Sequence, residues 1–192
     1  MEEIKGVEAI HFKSRKAWRQ WLTKNHATKN AVWLILHNKK SKSGSINLDE
    51  AVMEALCFGW IDSKAMKRDD DSRYQYFSLR KAKSNWSKVN RARVEQLTKE
   101  GLINPAGQAM IDLAKSTGTW DALVSVENEI MPEDLEKRFA GNKKALKNFL
   151  AFAPSARRVI LRWVLQAKRP ETRKSRVERT VTEAAKNLKA YP

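Results

Sequence analysis

ALCFGWIDSKAMKRDDDSRYQYFSLRKAKSNWSKVN, residues 55–90, is the stretch whose reading decides the fold. An apolar helical stripe runs into it and stops at Gly59, the residue type that most readily takes the left-handed conformation after a helix. Residues 60–66 then read as a strand. The triplet Asp69-Asp70-Asp71 makes a turn, and residues 73–79 (RYQYFSL) return as a second strand with Tyr74 and Tyr76 on one face. A helix leaves from Ser84 or Ser87 and runs to about Glu100, before Gly101.

Upstream, Asn47 and Glu50 have capping-box spacing, so a helix starts there and places Leu48, Val52, Ala55 and Leu56 on one face. Residues 31–37 (AVWLILH) are β-branched, aromatic and apolar, the signature of a buried strand. Ser14 caps a helix carrying Trp18, Trp21, Leu22 and Asn25, and residues 7–13 read as a short strand or extended lead-in. These elements predict an α+β fold: a small, mainly antiparallel sheet of three or four strands packed with helices.

Downstream the pattern is helical throughout. Asn104-Pro105 opens a helix with proline at its first position, and further helices are expected over about 132–139, 143–152, 154–167 and 170–188. Residues 116–131 hold Gly118, an acidic loop-like stretch and then Pro132, which marks the boundary. The expected division is an α+β domain over 1–118 and an all-helical, basic C-terminal module over 119–192.

The 192 residues carry 38 Lys and Arg against 22 Asp and Glu, a formal charge of +16. The charge is uneven: residues 143–192 hold 14 of the basic residues and only 3 of the acidic ones. Such a segment suits an acidic partner or nucleic acid, or simply a solvated surface. One cysteine excludes an internal disulfide and a cysteine-based zinc site. The three histidines share no metal-ligand spacing, and no glycine-rich phosphate loop or GxSxG elbow occurs, so neither metal nor cofactor is expected. No apolar run nears the roughly 20 residues of a membrane span, and the opening MEEIKGVEAIHF lacks a basic head and apolar segment. A cytoplasmic location is the expectation.

Two residue groups are candidates for function. A pocket is expected between the GWID turn and the next helix start, formed by Trp60, Asp62, Arg80, Ser84, Trp86, Ser87 and Asn90. Asp62 there either binds a cationic or hydroxyl group, acts as a base if desolvation raises its pKa, or braces its own turn, and Asn90, an amide in an apolar stripe, needs a partner. No catalytic residue is assigned, because no catalytic partner for Asp62 is visible. The second group is an anion or nucleic-acid surface on the last two helices: Arg157, Arg158, Arg162, Lys168, Arg173, Arg176 and Arg179.

Three ordered stretches, EALCFGWID (54–62), SNWSKVNRAR (84–93) and PSARRVILRWVLQAKRPETRKSR (154–176), together resemble the YdeI/OmpD-associated or bacteriocin-protection family, the last of them its OmdA-like C-terminal module. The resemblance covers nearly the whole chain. It implies a link to bacteriocin or antimicrobial-peptide protection and to stress, but no reaction and no catalytic residues. A non-enzymatic binding protein is therefore the leading expectation. A nucleic-acid-binding protein using the basic helices and a small-molecule enzyme near Asp62 and Asn90 are the alternatives.

Overall fold

The computed structural model describes residues 2–190 and divides the chain into two compact units, Met1–Asp121 and Ala122–Pro192. In the first, five strands form one mixed sheet in the order β1-β2-β3-β5-β4. They are β1 (Glu2–Ile4), β2 (Val7–His11), β3 (Ala31–His37), β4 (Trp60–Lys67) and β5 (Ser72–Leu79). The expectation of three or four strands is thus corrected to five, while the sheet is mainly antiparallel as expected, three of its four pairings running so.

The added strand is β1, whose sequence Glu-Glu-Ile has no strand signature. Its hairpin to β2 is made by Lys5 and Gly6, both at positive φ (52° and 77°), the backbone pattern of a tight type I′ turn. Glu2 secures it from afar. Its carboxylate accepts from Arg68 Nη2 at 2.5 Å and from the Tyr74 hydroxyl at 2.6 Å. Those two donors pull its pKa down to about 2. The one parallel pairing among the described residues is that of β2 with β3. Helix α1 (Arg15–Asn25) forms the crossover that a parallel pair requires.

Helix α2 (Leu48–Cys57) starts as its sequence demands: Asn47 accepts from the Glu50 N–H at 2.9 Å, and Glu50 accepts from the Asn47 N–H at 3.3 Å. With α1, α3 (Lys88–Lys99) and α4 (Pro105–Ser116) it covers one sheet face over a core that includes Trp18, Leu34, Leu56, Phe58, Trp60, Phe77 and Trp86. Glu54 is the charged exception on α2. It is 2% exposed and held by Arg15 at 2.5 Å and Arg19 at 2.6 Å, so its charge is neutralised where solvent does not reach. The opposite face carries a smaller cluster around Ala9, Trp33 and Ile35, flanked by Tyr74 and Tyr76.

The second unit is helical: α5 (Val124–Glu127), α6 (Glu133–Ala140), α7 (Lys143–Ala151), α8 (Pro154–Leu165) and α9 (Pro170–Ala185). Its own core holds Leu135, Phe139, Phe149, Ile160, Val164, Val177 and Val181. The four-residue α5 was not expected from sequence, since one turn is too short to show a period.

Candidate functional site

At the end of β4 and β5 away from the Asp69–Asp71 turn, two backbone bonds and a bulge fix the geometry. Gly59, at φ +75°, turns the chain out of α2, and its carbonyl accepts from the Arg80 N–H at 3.0 Å. The Leu79 N–H donates to the Asn30 carbonyl at 3.1 Å. Between Asp62 and Ala65 the register slips: Ser63 and Lys64 together oppose Tyr76, a bulge. Lys64 is re-aimed by it and lays its ammonium over the rings of Tyr76 (4.8 Å) and Trp33 (5.2 Å).

A cleft of about 770 Å³ opens there, lined by Asp62, Lys64, Tyr76, Leu79, Arg80 and Ser84 among others. Arg80 is its unusual member. The side chain is 2% exposed and its guanidinium lies 3.8 Å from the Trp86 ring centroid. Nη1 donates to the carbonyls of Asn85 at 3.2 Å and Ser84 at 3.5 Å, while Nε and Nη2, both buried, have no hydrogen-bond partner within the protein. Burial lowers its pKa to about 10, against the pull of Asp62. Burial raises the Asp62 pKa, opposed by its backbone hydrogen bond and by the charges of Arg93 and Arg80. Asp62 accepts from Gln75 Nε2 at 3.3 Å. A cationic group facing unmet hydrogen-bonding demand at a cleft wall is suited to holding an anionic or strongly accepting group.

In the helical unit, the arginines do different work. Arg157 donates to Glu129 at 2.6 Å and to the carbonyls of Leu150 and Phe152 at 2.7 and 2.8 Å, at the open C-terminal end of α7. Arg158 shares Glu129 at 2.8 Å. Arg173 pairs with Asp134 at 2.6 Å and reaches the Val164 carbonyl, and Arg176 donates to the Trp163 carbonyl at 2.5 Å. These contacts satisfy carbonyls in the last turns of two helices, where cations also suit the helix dipole. Arg176 and Arg179 lie over the Trp163 ring at 5.0 and 5.5 Å. Trp163 is only 9% exposed, so it offers no open face for a base. Arg162 and Lys168 are exposed.

Residues 10–110, more than half of the chain, match the family model described as a domain of unknown function, DUF8412. Residues 129–187 match the one described as Bacteriocin-protection, YdeI or OmpD-Associated. The chain belongs to the DUF8412 family, and its C-terminal part is similar to the bacteriocin-protection, YdeI or OmpD-associated family. None of the curated proteins and none of the solved structures compared with it matches. The cleft lies wholly inside the DUF8412 stretch, and the paired arginines lie inside the bacteriocin-protection, YdeI or OmpD-associated stretch.

Of the seven residues expected to form the pocket, Asp62, Arg80 and Ser84 line the cleft. Trp60 and Trp86 are core side chains. Ser87 caps α3, accepting from the Asn90 N–H at 3.3 Å. Asn90, 9% exposed, finds its partner in Arg93, whose Nη1 donates to Oδ1 at 3.0 Å. Sequence reasoning missed Lys64, Tyr76 and Leu79 as cleft residues, because a bulge changes which side a strand residue faces and leaves no local mark here. Among the described residues, no cluster of three or more His, Cys, Asp or Glu side chains is placed to hold a metal ion, and no helix is long and apolar enough to cross a membrane.

Proposed function

We propose that the protein is a non-enzymatic binding protein whose α+β domain, residues 1–118, takes a small ligand in the β4–β5 cleft, with residues 119–192 folding as a separate helical module. The observation that carries this is Arg80, a buried guanidinium with two unmet donors at the wall of a cleft of ligand size. Asp62 and Ser84 share that cleft, but the fourth residue an enzyme reading needs, Asn90, is committed to Arg93 away from it. That favours binding over catalysis.

A role in bacteriocin or antimicrobial-peptide protection is inherited from the family's description alone. A chain of formal charge +16 repels cationic peptides, so within this reading protection acts through the ligand and not by sequestering the peptide.

Leu79 is 44% exposed and borders the cleft without belonging to the core, so Leu79→Trp fills the space and leaves the fold alone. We expect ligands found by a small-molecule NMR screen to perturb the amides of residues 61–64 and 76–81, and to lose at least roughly tenfold in affinity in that variant. Hits that bind only elsewhere would sink the reading.

Of the seven cations that the nucleic-acid alternative needs on the helical module, Arg157, Arg158 and Arg173 are paired with carboxylates, which leaves Arg162, Lys168 and Arg179 as its exposed members. Duplex DNA is therefore expected to migrate unshifted with the full chain at near-physiological salt. A shift that weakens steeply as salt rises would restore that alternative.

A further inference from the structure

We propose that the group recognised in the β4–β5 cleft is the dianionic phosphate of a small phosphomonoester; this rests on the cleft being the ligand site. The charged side chains at the cleft are Lys64, Arg80 and Lys81 against Asp62, a local excess of two positive charges. A phosphomonoester carries about −1.5 to −2 at neutral pH and three strong acceptor oxygens, which matches that excess. A monocarboxylate leaves one positive charge uncompensated and offers fewer acceptors.

The donors are of the right kind. Arg80 Nε and Nη2 have no partner in the protein and form two adjacent N–H directions of one guanidinium plane. Ser78 and Ser84 add hydroxyls to the same wall. Both free nitrogens are covered, so the phosphate must displace what lies over them. The tether on the other side is slight: Nη1 meets the Asn85 and Ser84 carbonyls at 3.2 and 3.5 Å, longer than the usual 2.9 Å or so. A charge-assisted bond to a phosphate oxygen is stronger than either, and the 81–85 segment is exposed apart from Ser84 and can yield. The organic part has its own wall: Ile61, Tyr76 and Leu79 line the cleft beside the cations. Lys64, pinned over the Tyr76 ring at 4.8 Å, sits at the junction of the two.

Three probes sharing one ring separate the chemistry: phenyl phosphate, benzoate and benzyl alcohol, each titrated into the isotope-labelled full chain. Phenyl phosphate is expected to perturb the amides of residues 61–64 and 76–84 and to bind at least roughly tenfold more tightly than benzoate. In Arg80→Met the phenyl phosphate affinity should fall at least roughly tenfold while that of benzyl alcohol is unchanged. Should that variant fail to fold, Lys64→Ala combined with Lys81→Ala decides by the same comparison, both side chains being exposed. Equal binding of all three probes in the cleft overturns the phosphate assignment and leaves the cleft reading standing. No perturbation of the cleft by any probe overturns both.

Discussion

Gly107→Ala is expected to destabilise the protein by about 3 kcal/mol or more in urea unfolding, although alanine is the better helix former by about 1 kcal/mol. Gly107 lies in the first turn of α4, against the end of α2. A Cβ there would stand 2.2 Å from the Cys57 carbonyl oxygen, 2.7 Å from its carbon and 3.1 Å from the Leu56 oxygen. All three are backbone atoms, so no side chain can swing aside. The same Cys57 carbonyl accepts from the Asn104 N–H at 2.9 Å, joining the C-terminal end of one helix to the N-terminal cap of the next. That juxtaposition satisfies an end carbonyl and aligns opposite ends of two dipoles. The methyl group must push the helices apart and break it. Gly141→Ala, whose Cβ would meet nothing nearer than 3.8 Å and whose φ is an ordinary −78°, should change little. A loss below about 1 kcal/mol for Gly107→Ala would mean that α4 is not seated on α2 as described.

The second large effect has the opposite sign. Arg80→Met is expected to stabilise the protein by about 1–2 kcal/mol in the absence of ligand. Burial depresses the guanidinium pKa to about 10, and a depression of that size corresponds to on the order of 3 kcal/mol at about 1.4 kcal/mol per pH unit. For a base whose pKa is lowered by folding, this cost is fully present below the folded value and is relieved as pH rises through about 10. Two unpartnered donor nitrogens, Nε and Nη2, point to the same cost from geometry. Against it stand the stacking on Trp86 and the two carbonyl contacts, which Met replaces only in part through apolar packing.

Asp62 sets the pH dependence of that gain. Its pKa is raised by burial, so its own cost is absent at low pH and grows as pH rises through its titration, and Arg80 opposes it. The gain in Arg80→Met should accordingly be larger in acid than at neutral pH, and adding Asp62→Asn should recover the difference. Thermal or urea unfolding across pH 4–8 measures it. Destabilisation of more than about 1 kcal/mol at acid pH would show that Arg80 is there for the fold. A side chain that weakens the fold where it sits is what a stability-for-function exchange at a binding site looks like.

What could be read from the residues alone was local. The Asn47–Glu50 capping box, the stop at Gly59, the strands over 31–37 and 60–79, and the proline-led starts at Pro105, Pro154 and Pro170 all stand in the structure near where the sequence puts them. Each signal spans a few residues: a side chain bonds to backbone three positions on, or an apolar period repeats within one element. Of the three motifs that carried the family resemblance, only the one at 154–176 lies inside the match over residues 129–187; the other two fall in the DUF8412 stretch, so the resemblance does not extend over nearly the whole chain as expected.

Tertiary structure alone decided the rest, because the deciding contacts join residues far apart in sequence. β1 exists through its pairing with β2, with Glu2 clamped by Arg68 and Tyr74 some seventy positions away. Arg157, Arg158 and Arg173 look free in sequence, and Glu129 and Asp134 find them across 28 to 39 positions. Arg80 is legible in the sequence as a pocket cation at a strand end, but not as a buried one. The fold sets it on Trp86 beneath the cleft and supplies partners to only one of its three nitrogens. Composition and periodicity count charges and trace faces, but whether a charge meets a partner depends on which distant surface the chain folds against it.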